Sequence, residues 1–292
     1  MYNKRNPSGM LIAIGGREDK GLKIVKEGEP LTEESSFFVS GILKEVTSFL
    51  STRYCRIEVL TTASSSPEKM QKTYQGAFGK LGYTNIGFIH MRTKEDAASS
   101  EYIERIRNTE GIFITGGSQA QFMDINEGTD FIKELKKVYC SKKVVIAGTS
   151  AGAMVMSALM IDVDADDEEN TFDVTPGLSL LKKVIIDTHF SERGRFWRLA
   201  DAVAQHQDYL GIGMDENTAI VVRNGSDMQV IGFGLVALIE GQNISHYDSP
   251  REGAREKLTI ENLVTHILSK NDQCNITERK IVKKGPTQKK KG

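Results

Sequence analysis

Short apolar runs alternating with amphipathic stretches constrain the first half of this chain more than any other feature. Residues 11–14, 57–60, 86–90, 111–114 and 144–147 are runs of strand length rich in Ile, Val and Leu. Between them, 32–50, 67–81, 97–107 and 130–138 carry helical spacing. In 32–50 it is set by Phe38, Ile42, Val46 and Leu50, and Pro67 opens the second stretch as a helix N-terminus allows. A β-α-β-α order of this kind predicts an α/β fold with a mostly parallel central sheet and helices on both faces, a three-layer, flavodoxin-like arrangement.

The pattern changes after Met156. Residues 161–175 are acidic and poor in apolar side chains, which predicts an exposed loop. Strands are expected at 184–187, 212–214, 219–222, 228–231 and 235–240, and helices at 195–204 and 258–268. Asn224-Gly225 is a hairpin signal, so the C-terminal part should add short strands to the sheet. The 292 residues fit one α/β domain over 1–280, followed by a basic tail, 281–292, without the composition to order itself.

A net charge of −1 gives no global attraction to nucleic acid or to a membrane surface. No apolar run reaches the roughly 20 residues that span a bilayer, and the first ten residues lack a secretory core. The cysteines, Cys55, Cys140 and Cys274, are odd in number and widely spaced, which suits a reduced, cytoplasmic protein. Neither H-E-x-x-H nor clustered Cys/His spacing is present, so no metal is expected. Gly15-Gly16 follows the first strand without the further glycines or the lysine of a nucleotide loop, so no cofactor is expected either.

Gly148-Thr149-Ser150-Ala151-Gly152 follows the apolar run 144–147 directly. A G-x-S-x-G at a strand end is the pattern of a nucleophile elbow, in which glycines permit a tight turn and the serine stands at the C-terminal edge of the sheet. A serine hydroxyl needs a base. Of five histidines, His189 stands out, because it closes the apolar strand 184–187 and precedes Arg193, Arg195 and Arg198. Arg195 and Arg198 are three apart, share a helix face, and suit a substrate rich in carboxylates. Two carboxylates are available to orient the imidazole: Glu216, at the end of a short strand, and Asp187, two residues before His189 and on the same strand face if the strand continues. The spacing alone does not choose between them. A second glycine turn, Thr115-Gly116-Gly117-Ser118-Gln119, offers the amide of Gly117 to join that of Ala151 as an oxyanion hole, with Gln119 placed to bind substrate.

Several separated motifs together resemble the cyanophycinase family of serine peptidases, whose fold is related to those of aspartyl dipeptidases and class I glutamine amidotransferases. They are IGGREDK (14–20), TTASS (61–65), FITGGSQ (113–119), GTSAGA (148–153), DTHFSERGRFWRL (187–199) and GIGMDENTA (211–219). The resemblance implies Ser150 as nucleophile, His189 as base and Glu216 as the acidic member. It implies that Gln119, Asp187, Arg193, Arg195 and Arg198 line the substrate pocket. It also implies hydrolysis of multi-L-arginyl-poly-L-aspartate to β-aspartyl-arginine dipeptides without a metal, by a chain that is often a homodimer. Thr188 and Ser118 stand where the family commonly has Gln and Asp. Both lie in the expected pocket and bear on the choice between arginyl and lysyl side chains. The alternatives are a hydrolase of aspartyl dipeptides with the same triad and a non-catalytic binding relative.

Overall fold

The structure, a computed structural model, describes residues 6–20, 41–162, 172–249 and 258–282. Residues 32–40 of the expected first helix, most of the acidic stretch and nearly all of the basic tail lie outside the described residues. Five strands and six helices alternate first: β1 Met10–Ile14, α1 Ile42–Thr47, β2 Ile57–Leu60, α2 Pro67–Lys80, β3 Ile86–Ile89, α3 Ser100–Arg107, β4 Gly111–Ile114, α4 Gln119–Asn126, α5 Asp130–Ser141, β5 Val145–Thr149 and α6 Ala151–Met154. The strands pair in parallel in the spatial order β1-β5-β4-β2-β3.

The apolar runs become strands because both faces of this sheet are covered. In β1, Leu11 and Ala13 point into one core and Ile12 and Ile14 into the other, as a period of two requires. The second core is closed by Ile42, Leu43 and Val46 of α1 and by Tyr74, Ala77 and Phe78 of α2. The first core takes Phe131, Leu135 and Val138 of α5. Side chains cap the helix starts: Ser118 accepts from the amide of Gln121 at 3.1 Å and Thr129 from that of Ile132 at 3.4 Å. Helix α4 has no counterpart in the sequence reading. Its buried residues, Phe122, Met123, Ile125 and Asn126, share one side of the helix, but Asn126 and Gln119 place polar side chains on that side, which blurs the apolar stripe in the sequence.

The chain then builds a second sheet. It comprises β6 Leu159–Asp162, β7 Asp173–Pro176, β8 Val184–Thr188 and β9 Leu210–Met214, with α7 Phe196–Gln205 connecting β8 to β9. Strand β10 Thr218–Arg223 returns to the first sheet antiparallel to β1, and β11 Asp227–Gly232 pairs antiparallel with β10 on its other side. Asn224 and Gly225 make their turn with φ of 54° and 75°. Strand β12 Val236–Glu240 pairs with β9, and β13 His246–Asp248 pairs with β14 Thr259–Glu261. Strand β15 Val264–Leu268 then joins β12, while β16 Gln273–Asn275 and β17 Lys280–Val282 extend the first sheet beyond β11. The described residues thus form a nine-stranded and a six-stranded sheet where one central sheet was expected. The second sheet covers the first core, to which Ile186 and Ile212 belong.

Two expectations are corrected. Residues 161–175 were expected to be an exposed loop, yet Leu159–Asp162 and Asp173–Pro176 pair antiparallel, because the edge of β8 supplies the partner that composition does not reveal. Residues 258–268 were expected to form a helix from apolar spacing, yet they form β14 and β15. Thr259, Ile260, Val264, Thr265 and Ile267 are β-branched, and Asn262, at φ 63°, bends the chain between β14, which pairs with β13, and β15, which pairs with β12. What matters for the site is that β1, β5, β8 and β9 all end at one edge of the molecule. Ile14 is in register with Thr149, and Thr188 with Met214.

Candidate active site

Ser150 joins β5 to α6 with φ 53° and ψ −119°, a conformation that non-glycine residues avoid. Strain of this kind costs about 1–3 kcal/mol and persists where neighbours enforce it. Here the amide of Ser150 donates to Ile14 O at 3.0 Å, and its carbonyl accepts from Ala153 and Met154. The flanking glycines are required by close approach. A Cβ on Gly148 would lie 2.3 Å from Gly152 O, and one on Gly152 would lie 2.3 Å from Ile114 O.

From this turn Ser150 Oγ lies 2.9 Å from His189 Nε2, and His189 Nδ1 lies 2.7 Å from Glu216 Oε1. In the tautomer that accepts from Ser150 at Nε2, Nδ1–H donates to the carboxylate. The three side chains come from two sheets: Ser150 follows β5, His189 follows β8 and Glu216 follows β9. His189 is 5% exposed and has φ 51°, so the chain leaves the strand there. Burial is the largest influence on its pKa and holds it below the ordinary histidine value. The hydrogen bond that Glu216 accepts from the ring works against that shift, and the nearby charges of Arg193 and Arg195 add to it. A ring that is neutral near pH 7 can take a proton from a hydroxyl.

The expected substrate residues divide into two groups. Asp187, Thr188 and Arg198 lie in the interior rather than at the surface beside Ser150. Arg198 Nε and Nη2 reach the two oxygens of Asp187 at 2.6 and 2.5 Å, a bidentate pair. The amide of Thr188 also donates to Asp187, and the Thr188 hydroxyl points at Met154 Sδ. Arg195 is half-buried. It donates from Nη1 to Thr188 O at 2.7 Å and lies 3.4 Å from Asp187, and desolvation pushes its pKa down to about 10. Gln119 donates to Ile161 O at 3.0 Å and so ties α4 to β6. Arg193 is exposed. The amides of Gly117 and Ala151 have no acceptor among the described residues. Gly116 packs against Ser150, since a Cβ there would meet Ser150 Cβ at 3.3 Å.

The sequence reading set aside a nucleotide loop after β1 and named 14–20 only as a motif of the family resemblance, giving it no part in the site. The carbonyl of Gly15 accepts from His189 N at 2.8 Å, and that of Gly16 accepts from Asn217 N at 3.0 Å. Gly16, at φ 107°, lies under the imidazole, where a Cβ would come within 2.3 Å of Cε1. Arg17 Nε is 3.3 Å from Glu216 Oε1. Glu192 Oε1 accepts from Glu216 N at 3.0 Å. The signals in the sequence were the Gly-Gly pair and the motif IGGREDK (14–20), neither of which says what these residues touch. Among the described residues no cluster of three or more His, Cys, Asp or Glu is arranged to hold a metal, and no helix is long and apolar enough to cross a membrane.

Comparison with known proteins adds four findings. The sequence model described as peptidase family S51 matches residues 35–231. The cyanophycinase of Trichormus variabilis is 33% identical over 277 residues, covering 93% of this chain and 87% of that protein. The cyanophycinase of Synechococcus elongatus is 30% identical over 276 residues, covering 94% of this chain and 81% of that protein. Among solved structures, a peptidase from an acI-B1 Actinobacterium superposes with a TM-score of 0.59 at 22% identity, over 91% of this chain and all of that one, a likeness of fold.

Proposed function

The chain belongs to peptidase family S51 and is a serine-type peptidase, and on that footing we propose that it hydrolyses cyanophycin, multi-L-arginyl-poly-L-aspartate, or a related aspartyl polymer, to β-aspartyl dipeptides through an acyl-enzyme on Ser150. The observation that carries the reading is the unbroken run of contacts from Ser150 Oγ through His189 to Glu216, at 2.9 and 2.7 Å.

In this mechanism His189 Nε2 takes the hydroxyl proton as Ser150 Oγ attacks the peptide carbonyl carbon. The carbonyl oxygen becomes an oxyanion held by the amides of Gly117 and Ala151. Collapse of the intermediate breaks the C–N bond, and His189 returns its proton to the departing amine. Water then gives a proton to His189 and its oxygen attacks the acyl carbon. The second intermediate releases the carboxylate product, and the proton goes back to Ser150. Glu216 stabilises the imidazolium in both halves. Arg193, exposed and close enough to perturb His189, is our assignment for a substrate carboxylate. We assign Arg195 and Gln119 to the same pocket, with Asp187 and Thr188 holding Arg195 and Arg198 holding Asp187. The same reading takes the protein as a cytoplasmic homodimer.

Incubation with purified cyanophycin, with mass analysis of the released dipeptides and Asp-X dipeptides as a parallel substrate, tests the proposal. Turnover of the polymer should fall by several orders of magnitude in Ser150→Ala. Near wild-type turnover in that variant refutes the mechanism, and turnover of dipeptides alone refutes the polymer.

A further inference from the structure

We propose that Glu18 is a positioning residue for the nucleophile, fixing the elbow strand to a segment that touches all three triad members; this rests on Ser150 being the nucleophile. Glu18 is 3% exposed, and its carboxylate is fully engaged. Oε2 accepts from Thr149 Oγ1 at 2.5 Å. Oε1 accepts from Tyr74 OH at 2.5 Å and is 3.0 Å from Lys20 Nζ. Burial first, and then the charge of Glu18, raise the Tyr74 pKa, which keeps the phenol protonated as a donor. Thr149 is the last residue of β5 and is bonded covalently to Ser150, so whatever fixes its side chain also fixes the entry to the strained turn.

The wider geometry shows what the anchor secures. Within five consecutive residues, Ile14 O accepts from Ser150 N, Gly15 O accepts from His189 N, and Gly16 lies against the imidazole. In the same stretch Arg17 contacts Glu216, and Glu18 accepts from Thr149. Ser150 belongs to the nine-stranded sheet, whereas His189 and Glu216 follow strands of the six-stranded sheet. Segment 14–18 is therefore a polar strap between the two sheets at the level of the triad. Its far end is held only if something ties Glu18 back to the elbow. A carboxylate suits that place, because its two oxygens can accept from donors on different elements, here β5 and α2. A buried carboxylate is costly to desolvate, and three donors offset that cost.

A merely structural acid and a positioning acid are distinguished by kinetics in the full chain. The measurements are the rate at which a fluorophosphonate labels Ser150, and kcat and KM on cyanophycin, at a temperature where each variant is folded by circular dichroism. Thr149→Val removes the hydroxyl and keeps the shape. It should slow labelling and lower kcat by about tenfold or more, because small displacements of a nucleophile are costly, with KM changed by no more than about twofold. Thr149→Ser keeps the hydroxyl and should stay within about threefold of wild type. Glu18→Gln should follow Thr149→Val; if it does not fold, the Thr149 pair decides. A Thr149→Val protein labelled at the wild-type rate overturns the positioning role while leaving the catalytic reading standing. A wild-type protein that the probe does not label at Ser150 overturns the catalytic reading, and this proposal with it.

Discussion

Two carboxylate–arginine contacts flank His189, and they are built oppositely. Asp187 and Arg198 have side chains 0% and 9% exposed and meet through two short hydrogen bonds. Glu216 and Arg17 meet through a single 3.3 Å contact, and the arginine side chain is 73% exposed. The first pair is satisfied by the protein alone and holds β8 to α7, together with Arg195 on Thr188 O. The second leaves Glu216 free to serve His189 Nδ1. A carboxylate already committed to a bidentate partner is a poor orienter of an imidazole. One that is 15% exposed and held by a single loop arginine contact can respond as the ring gains charge. The difference explains why the nearer carboxylate in sequence is the more distant one in function under the reading proposed here.

The largest effect that would test this contrast is on stability. Arg198→Met leaves Asp187 buried without its bidentate partner, and removing one partner of a buried pair costs about 3–5 kcal/mol. Chemical denaturation should show that loss, and Asp187→Asn combined with Arg198→Met should recover part of it. A loss below about 1 kcal/mol would place this pair in the class of surface ion pairs and erase the distinction. Arg17→Gln is the opposing case. Its stability change should stay within about 1 kcal/mol and shrink further in high salt, because the arginine is largely exposed and makes a single contact. A loss comparable to that of Arg198→Met would mean that the strap 14–18 hangs on the ion pair rather than on its backbone hydrogen bonds and on Glu18.

The same contrast marks how far the sequence could be read. Parallel strands such as β1 were legible because fully apolar runs bounded by turns have few alternatives in an α/β chain, and Asn224-Gly225 announced its hairpin through backbone preference alone. Ser150, His189 and Glu216 were singled out from motifs, and the structure brings them within hydrogen-bonding distance. The argument that Asp187 and His189 share a strand face failed because the strand ends at Thr188 and His189 turns out of it at φ 51°. Helix spacing misled at 258–268, where the edge of β12 was available to pair. The strap 14–18 was quoted as part of a motif, but its contacts were illegible for a different reason. Its contacts join two sheets, and no local pattern encodes what a carbonyl or a buried carboxylate meets across such a distance in sequence.

The smallest predicted effect concerns the charges around the imidazole. His189 is held below the ordinary histidine value, so the fraction able to accept a proton from Ser150 should be half-populated below about pH 6.5, and kcat/KM should rise with pH through that lower midpoint. Arg193 and Arg195 both disfavour the imidazolium, but one is exposed and the other half-buried. Arg193→Gln removes a positive charge, so the imidazolium becomes less costly, the pKa rises and the ascending limb moves to higher pH by a fraction of a unit. Added salt should shrink the difference between wild type and variant, because an exposed charge acts through solvent, and Arg193→Lys should leave the limb in place. A limb that stays fixed in Arg193→Gln would mean that burial and Glu216 alone set the ring. A limb that moves to lower pH would contradict the sign of the interaction, and with it the orientation of Arg193 toward the site.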